Sequence, residues 1–214
     1  DSSGLVRQFL LSRHQPDGGF AGRSGPSDLY YTVFGLEGLL ALQSEIPSEA
    51  TAAFLRRFGD GVDLDFVHLT CLARCWAGLG RNAPEGVLAR MSAFRRDDGG
   101  FDAGTVYTAF LALGAYQDLR AEMPAPEALL RSLDAMRAAD GSYSNRPGAD
   151  VGLATSTAAA VMLQRHLGGT PDPELAQWLL QCVHPQGGFR AMPAAPIPDL
   201  LSTATALHAL SAMH

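Results

Sequence analysis

Apolar residues along this chain recur three and four apart, in stretches broken by short polar segments rich in Gly and Pro, which predicts helices throughout. Two kinds of stretch alternate. The first kind mixes apolar residues with charge: LVRQFLLSR (5–13), EATAAFLRRF (49–58), EGVLARMSAFRR (85–96), EALLRSLDAMRAA (127–139) and ELAQWLLQCV (174–183). The second kind is richer in Ala and Gly. DLYYTVFGLEGL (28–39), GTVYTAFLALGA (104–115) and DLLSTATALHAL (199–210) share a small or acidic start and a Thr at the fifth position, and 64–79 and 152–167 fill the same role less cleanly. Small residues permit close helix packing, so the second helices are expected inside and the more charged first helices outside.

Between the two kinds stands a recurring turn. QPDGGF (15–20), RDDGGF (96–101), AADGSY (138–143) and HPQGGF (184–189) end a first helix, because glycine adopts positive φ at little cost. The last three are 42 and 46 residues apart, and the first gap of 81 hides a degenerate copy near FGDGVD (58–63). Three first helices open on Pro-Glu, at Pro84, Pro126 and Pro173, with proline in the first turn and a carboxylate at the positive helix end. A period of this length marks a repeat architecture. The expectation is an all-α fold: one α/α-repeat domain over 1–214, an α/α barrel (toroid) or open arc of about five helical hairpins in two layers, with second helices near 28–43, 64–79, 104–117, 152–167 and 199–213 and no sheet.

Composition narrows the partners. Hydrophobic residues make up 47% and charged ones 18%, which is globular rather than disordered. A net charge of −6 and the absence of basic runs argue against nucleic-acid or anionic-membrane surfaces. Every basic residue is Arg, a bias read as genomic composition. No stretch is long enough to span a membrane, and no charged start with an apolar core marks a signal peptide. A cytoplasmic location is expected, with Cys71, Cys75 and Cys182 as free thiols. The chain starts at Asp1 just before a helix, which leaves open whether residues precede it.

The glycine turn followed by an Ala/Gly-rich helix resembles the prenyltransferase and squalene (terpene) cyclase repeat over essentially the whole chain. The GCGEQ thioester run of complement-like relatives is absent. The stretch GGFAGRSGPSDLYYT (18–32) is most similar to protein prenyltransferase β subunits, of geranylgeranyltransferase type II-like, bacterial kind. In that family a similar stretch places an Arg and a Tyr against an isoprenoid diphosphate, and an Asp and a Cys on zinc. Arg23, Asp28 and Tyr31 match, and Tyr30 stands where the cysteine belongs. Asp65-Phe66-Val67-His68 resembles the Asp-x-x-His segment that carries the third zinc ligand. The family's loop lysine has no counterpart.

The resemblance implies an isoprenoid or isoprenoid diphosphate as ligand in a central cavity and, where the chain is catalytic, prenyl transfer. Arg23 and Tyr31 would hold the diphosphate, Asp28 and His68 would lie near the acceptor, and Asp65 and His68 are the candidate catalytic pair. Tyr30, Tyr31, Phe34, Trp76, Tyr107, Phe110 and Tyr143 are candidate lining, with Tyr30 and Tyr107 as ligand contacts. Charge-assisted donors suit a diphosphate leaving group. No cofactor is expected, because a phenol with a pKa near 10 is a costly zinc ligand; zinc remains what the resemblance implies, with Cys71 and Cys75 on the His68 helix as conceivable donors. A second chain, a homodimer partner or one like an α subunit, is expected to close the barrel.

Other readings stand beside these. Asp63-Leu-Asp65-Phe resembles part of the Asp-x-Asp-Asp acid of class II terpene cyclases, which needs an aspartic acid of raised pKa. The chain could equally be a non-catalytic repeat scaffold for protein binding. Arg23–Asp28 reads also as a loop salt bridge, with Arg146–Asp150 and Arg190–Asp199 as its equivalents. Tyr31 reads also as core packing. His14, His166, His184, His208 and His214 read as surface or capping residues.

Overall fold

Thr32 shows how the repeat is built. Its hydroxyl donates to the Asp28 carbonyl at 2.7 Å and accepts the buried N–H of Phe20 at 3.0 Å, tying the start of a second helix to the aromatic of the glycine turn before it. Thr157 accepts from Tyr143 and Thr203 from Phe189 in the same way, while Thr108 donates to the Phe101 carbonyl. The recurrent threonine therefore satisfies turn backbone groups that would otherwise be costly to bury.

The computed structural model describes residues 2–213, so His214 lies outside the described residues. Among the described residues ten α-helices form five consecutive pairs: α1 (Ser2–Arg13) and α2 (Leu29–Ala41), α3 (Ser48–Arg56) and α4 (Phe66–Gly78), α5 (Gly86–Ala93) and α6 (Val106–Asp118), α7 (Pro126–Ser132) and α8 (Ala154–His166), α9 (Pro173–Gln181) and α10 (Leu200–Ala212). The fold is all-α, as the periodicity predicts.

α3, α5, α7 and α9 are shorter at their C-termini than the apolar pattern implies. Arg95, Arg137 and Val183, expected inside helices, form antiparallel bridges to Phe101, Tyr143 and Phe189, and His14 bridges Phe20. The aromatic after the glycines folds back and draws the preceding residue out of the helix; α7 ends in a 3-10 turn, Leu133–Met136. The expectation of no sheet also needs correction. Two-stranded ribbons, β1 (Phe20–Ala21) with β2 (Ser27–Asp28) and β3 (Phe189–Arg190) with β4 (Pro198–Asp199), extend this pairing in the first and last turns.

Two compact units divide the chain, and the division falls within α6. In the first (Asp1–Phe94 with Gly114–Glu122), α2 packs against α4 and buries Val33, Leu36 and Leu39 with Leu69, Leu72 and Trp76. Phe54 and Leu55 of α3 and Val87 and Met91 of α5 complete that core. In the second (Arg95–Leu113 with Met123–His214), α8 packs against α10 through Ala158, Val161, Ala206 and Ala209, with α9 adding Leu175, Trp178 and Leu179. Within each unit, second helices thus pack on one another with first helices flanking, the layering expected from the small residues. Trp76 and Tyr143, expected as cavity lining, belong to these cores. The three cysteines are free and buried.

Candidate functional site

Asp28 and Asp65 begin consecutive second helices, and each is an N-cap, the position where a short carboxylate satisfies orphan helix N–H groups. Asp28 Oδ1 accepts from the N–H groups of Tyr30 and Tyr31 at 2.7 and 3.3 Å. Asp65 Oδ1 accepts from the N–H of His68 at 2.8 Å. The same His68 places its ring between the two caps: Nδ1 lies 2.8 Å from Asp65 Oδ1 and Nε2 3.3 Å from Asp28 Oδ2. An imidazole with carboxylate oxygens at both nitrogens is best satisfied as imidazolium, both N–H groups donating. Partial burial pushes the His68 pKa down, but the bond and charge of Asp65, joined by Asp28, outweigh it, and the pKa is raised. For Asp65 burial acts upward, and the His68 backbone and ring bonds overcome it, leaving its pKa lowered.

That direction is opposite to what a cyclase acid requires. Asp65 is an exposed, hydrogen-bonded carboxylate without the apolar surroundings that keep a carboxylic acid protonated, and Asp63 is exposed as well.

An aromatic face adjoins this group on the same unit. Tyr30 packs edge-on against Tyr31 and Phe34, with ring centroids 5.7 and 4.9 Å apart. Tyr31 and Phe34 remain 46% and 54% exposed, so Tyr31 is not core packing. The Tyr31 ring lies over Gly22, where a Cβ would come within 2.6 Å of it. Arg23, the next residue, is exposed and forms no ion pair among the described residues. The loop salt bridges do not form. Asp28 turns to His68, Asp199 caps α10 through the Ser202 N–H at 2.7 Å, and Arg190 donates to the carbonyls of Gln181, Cys182 and Val183. Tyr107 and Phe110 lie on α6 in the second unit, where the Tyr107 N–H donates to Asn145 Oδ1 at 3.0 Å.

Toward a metal ion His68 Nε2 and Asp28 Oδ2, 3.3 Å apart, would be the donors, with the Asp65 carboxylate on Nδ1 behind them. Tyr30, where the family carries a cysteine, packs its ring on Tyr31 and Phe34 and offers a phenolic oxygen, a group zinc rarely recruits. Cys71 and Cys75 point into the core, where burial pushes the Cys71 thiol up to about 12 and the Cys75 thiol well above its ordinary value, away from the thiolate a metal needs. Among the described residues no group of three or more His, Cys, Asp or Glu side chains is disposed to hold a metal ion. Of the other histidines, His166 and His208 are exposed and His184 Nδ1 accepts the Gln186 N–H, whereas the His14 ring packs on Phe20 with a buried, unpartnered Nε2.

The family model of the prenyltransferase alpha-alpha toroid domain matches residues 2–62 and 155–214, more than half of the chain. The chain belongs to this family. Its two matched segments carry the first and last glycine turns of the prenyltransferase-type repeat, and the first contains Arg23, Asp28, Tyr30 and Tyr31. No curated protein matches the chain. Among the described residues no helix is long and apolar enough to cross a membrane. Sequence reasoning paired His68 with Asp65 and, through the resemblance, with Asp28; what it missed is that one ring joins both carboxylates, and the signal was that both aspartates are N-caps of neighbouring second helices.

Proposed function

We propose that the first unit of this prenyltransferase-toroid protein binds an isoprenoid diphosphate, Arg23 meeting the diphosphate and the Tyr30–Tyr31–Phe34 face meeting the prenyl chain. The observation that carries the reading is an arginine without an anionic partner beside an exposed aromatic surface. A free guanidinium presents planar paired donors to phosphate oxygens, and exposed aromatics on a soluble chain gain by covering an apolar ligand. His68 held between Asp28 and Asp65 carries a net −1 as imidazolium with two carboxylates. That charge suits the acceptor side, where positive charge develops on an allylic carbon as diphosphate departs. Transfer by this route draws on the chain's own residues and on no zinc.

Mass spectrometry of lipid carried through purification from a bacterial extract tests the reading. Prenyl alcohols or prenyl phosphates at near-stoichiometric level, lost in an Arg23→Gln, Tyr31→Ala variant, are expected. A chain that retains no isoprenoid, or retains it equally in the variant, contradicts it. Elemental analysis of the same preparation, made without chelator or polyhistidine tag, is expected to find zinc far below one per chain.

A further inference from the structure

The aromatic face of α2 ends on charge. The side chains that this helix leaves unburied begin with Tyr30, Tyr31, Phe34 and Glu37, spaced three and four apart, so they share one face. α4 runs beside α2 in the same direction, since Asp28 and Asp65 cap the two helices at one end and His68 reaches Asp28 from there. On α4 the residues His68, Cys71 and Arg74 follow one another at three-residue spacing. Cys71 is buried, whereas His68 and Arg74 are only partly covered.

Arg74 ties three helices of the first unit together. Its Nη2 donates to Glu37 Oε1 on α2, and its Nε donates to Asp118 Oδ2 on α6 at 2.9 Å. Gly114, one turn before Asp118, lies alongside, and a Cβ there would just touch Arg74 Nε at 3.6 Å. A guanidinium fixed by carboxylates from two helices is held in place, and the triad carries a net −1. Two charged bridges therefore cross from α4 to α2, His68–Asp28 at the helix starts and Arg74–Glu37 further along. Phe34 stands between them on α2. From His68 to Arg74, as from Tyr31 to Glu37, is six residues, about 9 Å of helix rise.

We propose that the Glu37–Arg74–Asp118 triad limits the length of the prenyl chain this face accepts, so that the ligand is a diphosphate of geranyl length, two isoprene units. This rests on the isoprenoid diphosphate reading. With the diphosphate at Arg23, beside the Gly22 that the Tyr31 ring covers, the chain enters at Tyr31 and runs over Phe34. Seven main-chain bonds of a geranyl group, at about 1.2 Å of advance per bond as in extended backbone, bring its end to Glu37. A farnesyl group is four bonds longer. Its last unit either lies over Arg74 and the carboxylates, stripping water from charged groups without a hydrogen bond in return, or stays in water. Neither adds affinity.

Isothermal titration with dimethylallyl, geranyl, farnesyl and geranylgeranyl diphosphate, each below its micelle concentration, tests the limit. The wild type should bind geranyl diphosphate about tenfold or more tighter than dimethylallyl diphosphate, because a second unit is covered. Farnesyl and geranylgeranyl diphosphate should stay within about threefold of geranyl. In Glu37→Leu/Arg74→Leu/Asp118→Leu, which replaces the charges by apolar side chains, farnesyl should overtake geranyl by about tenfold. Affinity that keeps rising from geranyl to geranylgeranyl in the wild type overturns the limit and leaves the diphosphate reading standing. So does a folded triple variant, checked by circular dichroism, that gains nothing with length. Should the triple variant not fold, the wild-type series decides alone. No affinity for any of the four overturns the diphosphate reading, and the limit falls with it.

Discussion

Replacing Gly18 and Gly187 by alanine, one at a time, separates backbone strain from helix seating. Both glycines have nearly the same positive φ, +94° and +99°, and alanine there costs about 1–2 kcal/mol in strain alone. At Gly187 nothing else is disturbed, because no atom lies within 4 Å of the new methyl. At Gly18 the methyl would fall 2.0 Å from a backbone oxygen of α3, so the helix must move. That shift breaks the Thr51–Gly18 bond, worth about 1 kcal/mol, and adds overpacking strain of about 1–3 kcal/mol. Gly18→Ala should therefore lose about 2–4 kcal/mol more than Gly187→Ala, roughly 5–15 °C in melting temperature at this chain length. Urea denaturation of each single variant at low micromolar chain reads the difference. Equal losses for the two variants would refute the seating of α3 on the first glycine turn.

Three further outcomes follow from single contacts. Thr32→Val should cost about 1–3 kcal/mol, because the buried Phe20 N–H loses its acceptor; urea midpoints read the loss, and a change within error would deny the threonine its structural role. The raised pKa of His68 means its pairing stabilises the fold fully below the unfolded value of about 6.5 and is lost as pH rises through the folded value. The stability gap between wild type and His68→Asn should accordingly shrink as pH rises from the unfolded value of about 6.5 through the raised folded value, and an imidazole NMR titration should fall back toward the ordinary midpoint in Asp28→Asn/Asp65→Asn. A gap that widens with pH would contradict the clamp. The thiols of Cys71 and Cys182, pushed by burial up to about 12 and about 11, should react with a disulfide reagent only on unfolding; rapid labelling of the native chain would show them accessible.

Much of the fold was legible because each repeat announces itself with residues that have one physical use. The DGG turn marks a helix end, Pro-Glu a helix start, and the fifth-position threonine the next helix, so the second helices fall within a few residues of their expected bounds. The ends of α5, α7 and α9 were not legible, because the fold-back of Phe101, Tyr143 and Phe189 depends on backbone pairing that apolar spacing does not encode. In the candidate site, Arg23, Asp28, Tyr31 and His68 were visible as residue types. The resemblance already placed Asp28 and His68 in one site, whereas that Trp76 and Tyr143 would turn into the core depends on helix rotation. Small-residue helices leave rotation undetermined, since Ala and Gly positions offer no strong apolar stripe to orient them.

Isothermal titration of the chain with farnesyl and geranylgeranyl diphosphate, against the matching alcohols, tests the central claim most directly. The wild type should bind a diphosphate more tightly than its alcohol. Arg23→Gln should weaken the diphosphate about tenfold or more, as expected for losing a charge-assisted contact, and leave the alcohol unchanged. Equal affinity for diphosphate and alcohol, or an Arg23→Gln variant that binds both as the wild type does, would contradict the assignment of Arg23 and the aromatic face to an isoprenoid diphosphate.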